Sequence, residues 1–359
     1  MSVINVMLPG IFVMRANRVT KLICRLGFSL GIAASLTTGL AVAETDSNNQ
    51  VQIEHCLTRK LAAAEDSATI GELRAACIAD AAVASTAPAS AEKPPLLITQ
   101  KLEAERDSSS NLYTITAHHP NYFLFGSYNQ YRPSNATFSN GSETDARAQN
   151  VESKFQISLK VLLWQNAFNG NADLFAGYTQ RSFWQMYNRA ASSPFRETDY
   201  EPELWFRGVV NQSVLGWNVS TVALGLNHQS NGRGNDNSSS WNRVLGSVAF
   251  ERGNYAVVLR PWWRIPENSA TDNNPDITNY MGHFDLDVLA RYGQHSFDVM
   301  LRNNLKTQGN RGAIQLGWSY PLTAKIKAYA QVFSGYGESL NDYNVRQNSI
   351  GAGIQLLDW

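Results

Sequence analysis

Long apolar runs are missing from almost all of this sequence. The one stretch that qualifies, residues 26–40, sits near the N-terminus and is broken up by Gly, Ser and Thr. It is too short to span a bilayer as a helix, so transmembrane helices are excluded as the architecture. An excess of charge is missing as well. Lys plus Arg and Asp plus Glu both count 30, and charged residues make up 17% of the chain. That leaves no basic face for nucleic acid. Cysteine is scarce, with three residues, Cys24, Cys56 and Cys77. No Cys/His metal cluster, phosphate-binding glycine loop or G-x-S-x-G elbow can be found. Tryptophan is absent before Trp164, and all nine fall between Trp164 and Trp359. The chain therefore changes character along its length.

The first part reads as an export signal. Arg15, Arg18, Lys21 and Arg25 precede the apolar stretch, no acidic residue occurs before Glu44, and Ala41-Val42-Ala43 is a small-x-small cleavage site. Residues 1–43 are the expected signal peptide. Residues 56–64 and 70–77 are rich in Ala, Leu, Glu and Arg and favour two short helices. Cys24 leaves with the leader, so Cys56 and Cys77 remain as a pair, and an exported chain predicts a disulfide there. Residues 80–95, rich in Ala, Ser and Pro, read as a flexible linker. The expected organisation is a helical extension with linker over 44–98 and one large β unit over 99–359.

From about residue 112 the pattern is strand, turn, strand. Phe155, Ile157, Leu159 and Val161 alternate with Gln156, Ser158 and Lys160. Candidate strands fall at 119–129, 152–165, 172–187, 200–213, 217–230, 241–252, 254–265, 278–291, 295–306, 312–321, 324–336 and 346–358. An even number of antiparallel strands, apolar on one parity and mixed polar on the other, predicts a transmembrane β-barrel with twelve strands. Trp164, Trp184, Trp205, Trp217 and Trp262 are candidates for aromatic girdles. If both termini are periplasmic, loops 130–151, 188–199 and 231–240 face the cell exterior. His55, His118, His119, His283 and His295 have no evident partner and read as structural or exposed.

One stretch carries chemistry. Val222, Leu224, Leu226, His228 and Ser230 share one parity, so His228 and Ser230 lie on the same face as large apolar residues. Beyond a Gly/Asn/Ser loop, Asn242 shares a face with Val244 and Val248. If the two strands pair, Asn242 joins His228 and Ser230. Polar groups on an apolar surface are costly without a purpose. A serine becomes a nucleophile when a neighbouring base takes its proton, and an amide can orient that base. Ser230, His228 and Asn242 are therefore candidate nucleophile, base and orienter.

The wider string Asn227-His-Gln-Ser-Asn-Gly-Arg233, followed by Ser240-Trp-Asn-Arg243, resembles the signature of the bacterial outer-membrane phospholipase A family. The resemblance extends to Ser192–Pro202, Asn274–Thr278 and Tyr329–Leu340, and covers roughly residues 115–359. It implies a Gram-negative outer-membrane enzyme hydrolysing acyl esters of phospholipids and lysophospholipids, dependent on Ca2+ and active as a homodimer. By position it implies a calcium site from the Arg233 carbonyl and Ser238, completed by Ser192 of a second copy. It also implies the Gly232 amide as oxyanion donor and Gln180 as a polar dimer contact. A further calcium site built from two aspartates meets Asn235 and Asn273 here instead. The alternative from another class is a passive porin-like barrel, which would carry its polar function in the lumen rather than on the lipid face.

Overall fold

The computed structural model describes residues 56, 57, 60, 69–86, 96–108, 114–131, 137, 138, 146–234 and 238–357. The signal peptide, residues 87–95 of the expected linker, Trp359 and Asn235 lie outside them. The chain divides into two units, Met1–Ala91 and Glu92–Trp359.

The first unit contains helix α1, Ile70–Thr86. Thr69 and Glu72 start it as a reciprocal cap. The Glu72 amide donates to Thr69 Oγ1 at 3.3 Å, and the Thr69 amide donates to Glu72 Oε2 at 3.0 Å. Cys56 and Cys77 are bridged by a disulfide. The helix runs several residues into the stretch read as linker, because Ala81, Ala82 and Ala84 favour helix as strongly as they favour a spacer.

The second unit is a closed antiparallel barrel. Its twelve long strands, β1–β12 in chain order, are Asn121–Asn129, Val151–Asn166, Ala172–Trp184, Phe195–Val214, Trp217–Ser230, Ser240–Arg252, Tyr255–Arg264, Phe284–Tyr292, His295–Asn303, Gly312–Pro321, Lys327–Gly335 and Gln347–Leu357. Each pairs with its neighbours in sequence, and β12 closes onto β1. A short strand, Ile115–Ala117, prolongs β1 along β2 beyond a break at residues 118–120. Connections at one end are tight, at residues 167–171, 215–216, 253–254, 293–294 and 322–326. Leu215 and Gly216 both have positive φ, the mirror-image turn that suits strand twist. The other end carries all the long loops, as exterior loops do in outer-membrane barrels.

Alternation decides which face looks where. On β5, Leu224 and Leu226 are 63% and 56% exposed, whereas Asn227 and Gln229 are 3% and 8%. The apolar parity is therefore the outside. The inside is filled with ion pairs, each burying a charge only with a partner. Lys154 meets Glu338 at 3.2 Å, and Arg196 meets Glu152 at 2.8 Å and Asp342 at 3.0 Å. Arg243 meets Glu201 at 2.7 Å. Under these long loops an apolar cluster of Trp241, Trp262, Ile277, Met281, Leu340 and Tyr343 forms. Tyr343 donates to Asp276 at 2.5 Å, and burial together with that acceptor raises its phenol above the usual range.

A second helix, α2, spans Leu97–Ser108 and was not expected. Its first turn is capped by a strand. The Ile98 and Thr99 amides donate to Glu251 Oε2 at 2.7 and 3.1 Å. Leu97 packs on Ala256 and Leu289. Glu105 meets Lys160 at 2.5 Å and Arg207 at 2.8 Å. Burial alone would raise the Glu105 carboxyl, but Lys160, Arg207 and Lys101 outweigh it and hold it at about 2.

Three expectations need correction. β4 begins at Phe195 rather than 200, because Arg196, Glu197 and Asp199 find lumen partners and continue the ladder. β8 begins at Phe284 rather than 278, since Thr278–Met281 forms a helical turn. Trp205 and Trp262 are not girdle residues. Trp205 stacks on His118, and Trp262 joins the apolar cluster.

Candidate active site

β5 and β6 pair so that His228 lies opposite Asn242 and Ser230 opposite Ser240. His228 Nδ1 is 2.9 Å from Asn242 Oδ1. An amide oxygen only accepts, so Nδ1 carries the proton and Nε2 keeps its lone pair. The Asn242 amide nitrogen points to Glu267 Oε1 at 3.5 Å, consistent with that orientation. Ser230 follows two residues on, on the same outward parity as His228, and both side chains are half-buried. The Ser230 hydroxyl makes no side-chain hydrogen bond among the described residues. Across the wall Ser230 also faces Tyr200 of β4, which faces Gln180 of β3. Gln180 thus sits on the outer face, level with the candidate nucleophile. It donates to Ser182 Oγ at 3.1 Å.

The loop after Ser230 is tied at its neck. Asn231 Oδ1 accepts from the Arg233 amide at 3.2 Å and the Ser239 amide at 3.1 Å. The Arg233 guanidinium reaches inward to the Arg196 carbonyl and lies 3.3 Å from Glu197 Oε2. Gly232 has φ +64°, and a Cβ there would stand 2.8 Å from the Tyr200 ring. Both facts call for glycine, and its amide lies two residues from Ser230. Arg233 and Ser238 occupy the same loop, flanking its undescribed tip. Ser192 caps a turn in the loop between β3 and β4 with φ +59° and is exposed. No hydrogen bond joins Ser192 to Arg233 or Ser238 within the single chain, among the described residues. Asp272, beside Asn273, is engaged by Arg264 at 2.7 Å, and Asn235, the other position of that implied site, lies outside the described residues.

Glu267 escaped sequence reasoning, and Glu197 and Asn274, though inside the motifs that carry the resemblance, were given no role there. Asn274 is fully buried, and its Oδ1 accepts from the Ser240 amide at 3.1 Å, holding the start of β6. Their contacts here lie 25 to 36 residues away in sequence, so no local pattern shows what each touches.

The family model described as phospholipase A1 matches residues 98–356. The chain belongs to the phospholipase A1 family. Phospholipase A1 of Escherichia coli (strain K12) is 40% identical over 250 residues, covering 69% of this chain and 83% of that protein. Its counterpart in Salmonella typhimurium is 39% identical over 248 residues, with the same coverage. Among solved structures, outer membrane phospholipase A from Escherichia coli superposes with a TM-score of 0.63 at 36% identity. That match covers 68% of this chain and 99% of that one. The Salmonella typhi outer membrane phospholipase, solved as a dimer with bound calcium, gives 0.63 at 37% identity, covering 69% and 94%. The protein is thus a phospholipase of the Gram-negative outer membrane. The passive-pore alternative is set aside, since these relatives are enzymes and the lumen is crossed by buried ion pairs.

Proposed function

We propose that this phospholipase A cleaves acyl esters of phospholipids and lysophospholipids with Ser230 as nucleophile, His228 as base and Asn242 as orienter. The observation that carries the reading is the 2.9 Å contact between His228 Nδ1 and Asn242 Oδ1, with Ser230 beside them on the lipid-facing wall. His228 Nε2 takes the Ser230 proton as Oγ attacks the ester carbonyl, then returns it to the departing glycerol oxygen. Water releases the acyl group by the same route in reverse. The Gly232 amide is the oxyanion donor. Lying near the long-loop end, the site faces the outer leaflet.

Calcium fits the remaining donors. The Arg233 carbonyl, Ser238 Oγ and a Ser192 hydroxyl from a second copy are all hard oxygens, the ligand type this ion takes. When bound, calcium stabilises negative charge that develops on the ester oxygen. Without a carboxylate among the three, one chain holds the ion weakly, so dimerisation through the Gln180 face completes the site. A relative solved as a calcium-bound dimer supports this reading. So does a relative in which replacement of an asparagine by alanine gives an active-site mutant.

The test is fatty-acid release from phospholipid in detergent, with calcium or with chelator, for wild type and Ser230→Ala. Loss of release in Ser230→Ala, with barrel mobility on gels unchanged, is expected. Activity within a few-fold of wild type would overturn the assignment.

A further inference from the structure

A second cluster of chemistry-bearing side chains lies on the opposite side of the wall from Ser230, in the barrel lumen. We propose that His118, His119 and Glu203 form a binding site for a divalent transition metal of the zinc type. The sequence prepares it. Adjacent residues on a strand point to opposite faces, so a His-His pair in an unbroken strand would send one ring into lipid. Here Pro120 supplies no N–H and the ladder breaks. The short strand ends at Ala117, β1 begins at Asn121, and both rings turn inward. Their centroids are 3.9 Å apart. The break is held by Ser158, whose carbonyl accepts from the His118 amide at 3.2 Å and whose hydroxyl accepts from the His119 amide at 3.0 Å.

Both Nε2 atoms face one carboxylate oxygen. His118 Nε2 donates to Glu203 Oε2 at 2.8 Å, through a proton that the incoming metal would displace, and His119 Nε2 lies 3.7 Å from the same oxygen. The three ligand atoms all lie within 4.8 Å of one another. Tetrahedral bonds of about 2.0–2.1 Å separate neighbouring ligand atoms by about 3.4 Å, so no pair has to close by more than about 1.4 Å. Two imidazoles and a carboxylate, with a fourth position open, suit zinc better than calcium. The open position faces a cavity of about 320 Å³.

The surroundings bear on charge. Arg260 Nη1 is 3.4 Å from His119 Nε2. A guanidinium only donates, so that nitrogen carries a lone pair, as a ligand must. Arg260 is itself engaged by Asp287 at 2.8 Å and Asp285 at 3.7 Å, which offset its charge near an incoming cation. Lys101 Nζ, at 3.4 Å from the His118 carbonyl, and Lys160 also bear on His118, and Glu105 offsets Lys160 at 2.5 Å. Trp205 stacks on His118 at 4.5 Å and holds its ring plane. A bound metal would pin the first strand to the fourth from inside.

The experiment is calorimetric titration of the full chain in detergent with zinc chloride, in saturating calcium so that the exterior oxygen site is filled. Wild type should bind one zinc ion per chain. His118→Ala and Glu203→Gln should each weaken binding at least about 100-fold, beyond the usual effect of losing an outer-shell partner. His228→Ala, which removes the imidazole of the other site, should bind as wild type does. Absence of saturable binding in wild type overturns the proposal, as does binding unchanged by both lumen substitutions. If those variants fail to fold, anomalous diffraction at the zinc edge from zinc-soaked wild-type crystals decides. A peak between the three side chains supports the site, and peaks elsewhere alone refute it.

Discussion

Replacing Asn242 with alanine isolates one role within the proposed triad. In the structure this side chain touches His228 at 2.9 Å and Glu267 at 3.5 Å. Losing one good neutral hydrogen bond between half-buried groups costs about 0.5–1.5 kcal/mol of stability. Spread over a closed barrel of twelve strands, that leaves the fold intact. The effect on turnover is larger, because the imidazole loses what fixes its tautomer and plane. We expect kcat to fall about 10- to 1000-fold, which is about 1.4–4 kcal/mol of barrier at 1.36 kcal/mol per decade. KM should change little, since Asn242 does not hold the acyl chain. Ser230→Ala should fall much further, as removal of a serine nucleophile costs about a millionfold in a serine hydrolase. Asn242→Asp should retain more activity than Asn242→Ala, because a carboxylate oxygen also accepts from Nδ1. The assay is initial-rate fatty-acid release in detergent with calcium, with heat-modified gel mobility reporting the fold. Asn242→Ala within a few-fold of wild type would refute the orienting role. An Asn242→Ala variant as inert as Ser230→Ala, yet folded, would show that the amide does more than orient.

Calcium should shift the monomer–dimer equilibrium toward the dimer, and dimerisation should tighten calcium binding by the same factor, because coupling is reciprocal. Sedimentation in detergent with calcium or chelator measures it for wild type and Ser238→Ala, and an unchanged dimer population would refute the linkage. Reduction of the Cys56–Cys77 bridge should destabilise the first unit by about 3 kcal/mol while leaving lipase activity unchanged; thiol labelling before and after reduction, with parallel rate assays, checks both. The docking of α2 should fail only in acid. Glu105 titrates at about 2 when docked and near about 4.3 when free, so its contribution is full above about 4.3 and disappears as pH falls through about 2. A nitroxide on exposed Ala104→Cys should stay immobile at pH 5 and gain mobility toward pH 2, and mobility already high at pH 5 would contradict the ion-pair account.

Much of the barrel was legible because strand alternation is local. Leu224 and Leu226 against Asn227 and Gln229 declare inside and outside within a few residues, whatever the rest of the chain does. The same rule set His228 and Ser230 on one face and put Asn242 opposite His228 once β5 and β6 pair. Hairpin pairing between consecutive strands needs no distant information either. Other features depended on residues far away in sequence. Arg196-Glu197-Thr198-Asp199 looks like a polar loop by itself, and becomes strand only where Glu152, Asp342 and Leu340 stand opposite. Helix α2 is barely amphipathic, and its cap is Glu251, from a strand more than 150 residues on.

The sequence by itself determined the period of two, the turn positions and the local spacing of the H-x-S pair, since these depend on backbone geometry and near neighbours. Closure of the barrel decided what faces what across the lumen. It brought Glu203 to His118 and His119, which sequence reading left without partners, and it turned Trp205 inward onto His118. The physical reason is that a buried charge or ring is placed by its partner, and in a closed sheet that partner is set by curvature and register around the whole ring.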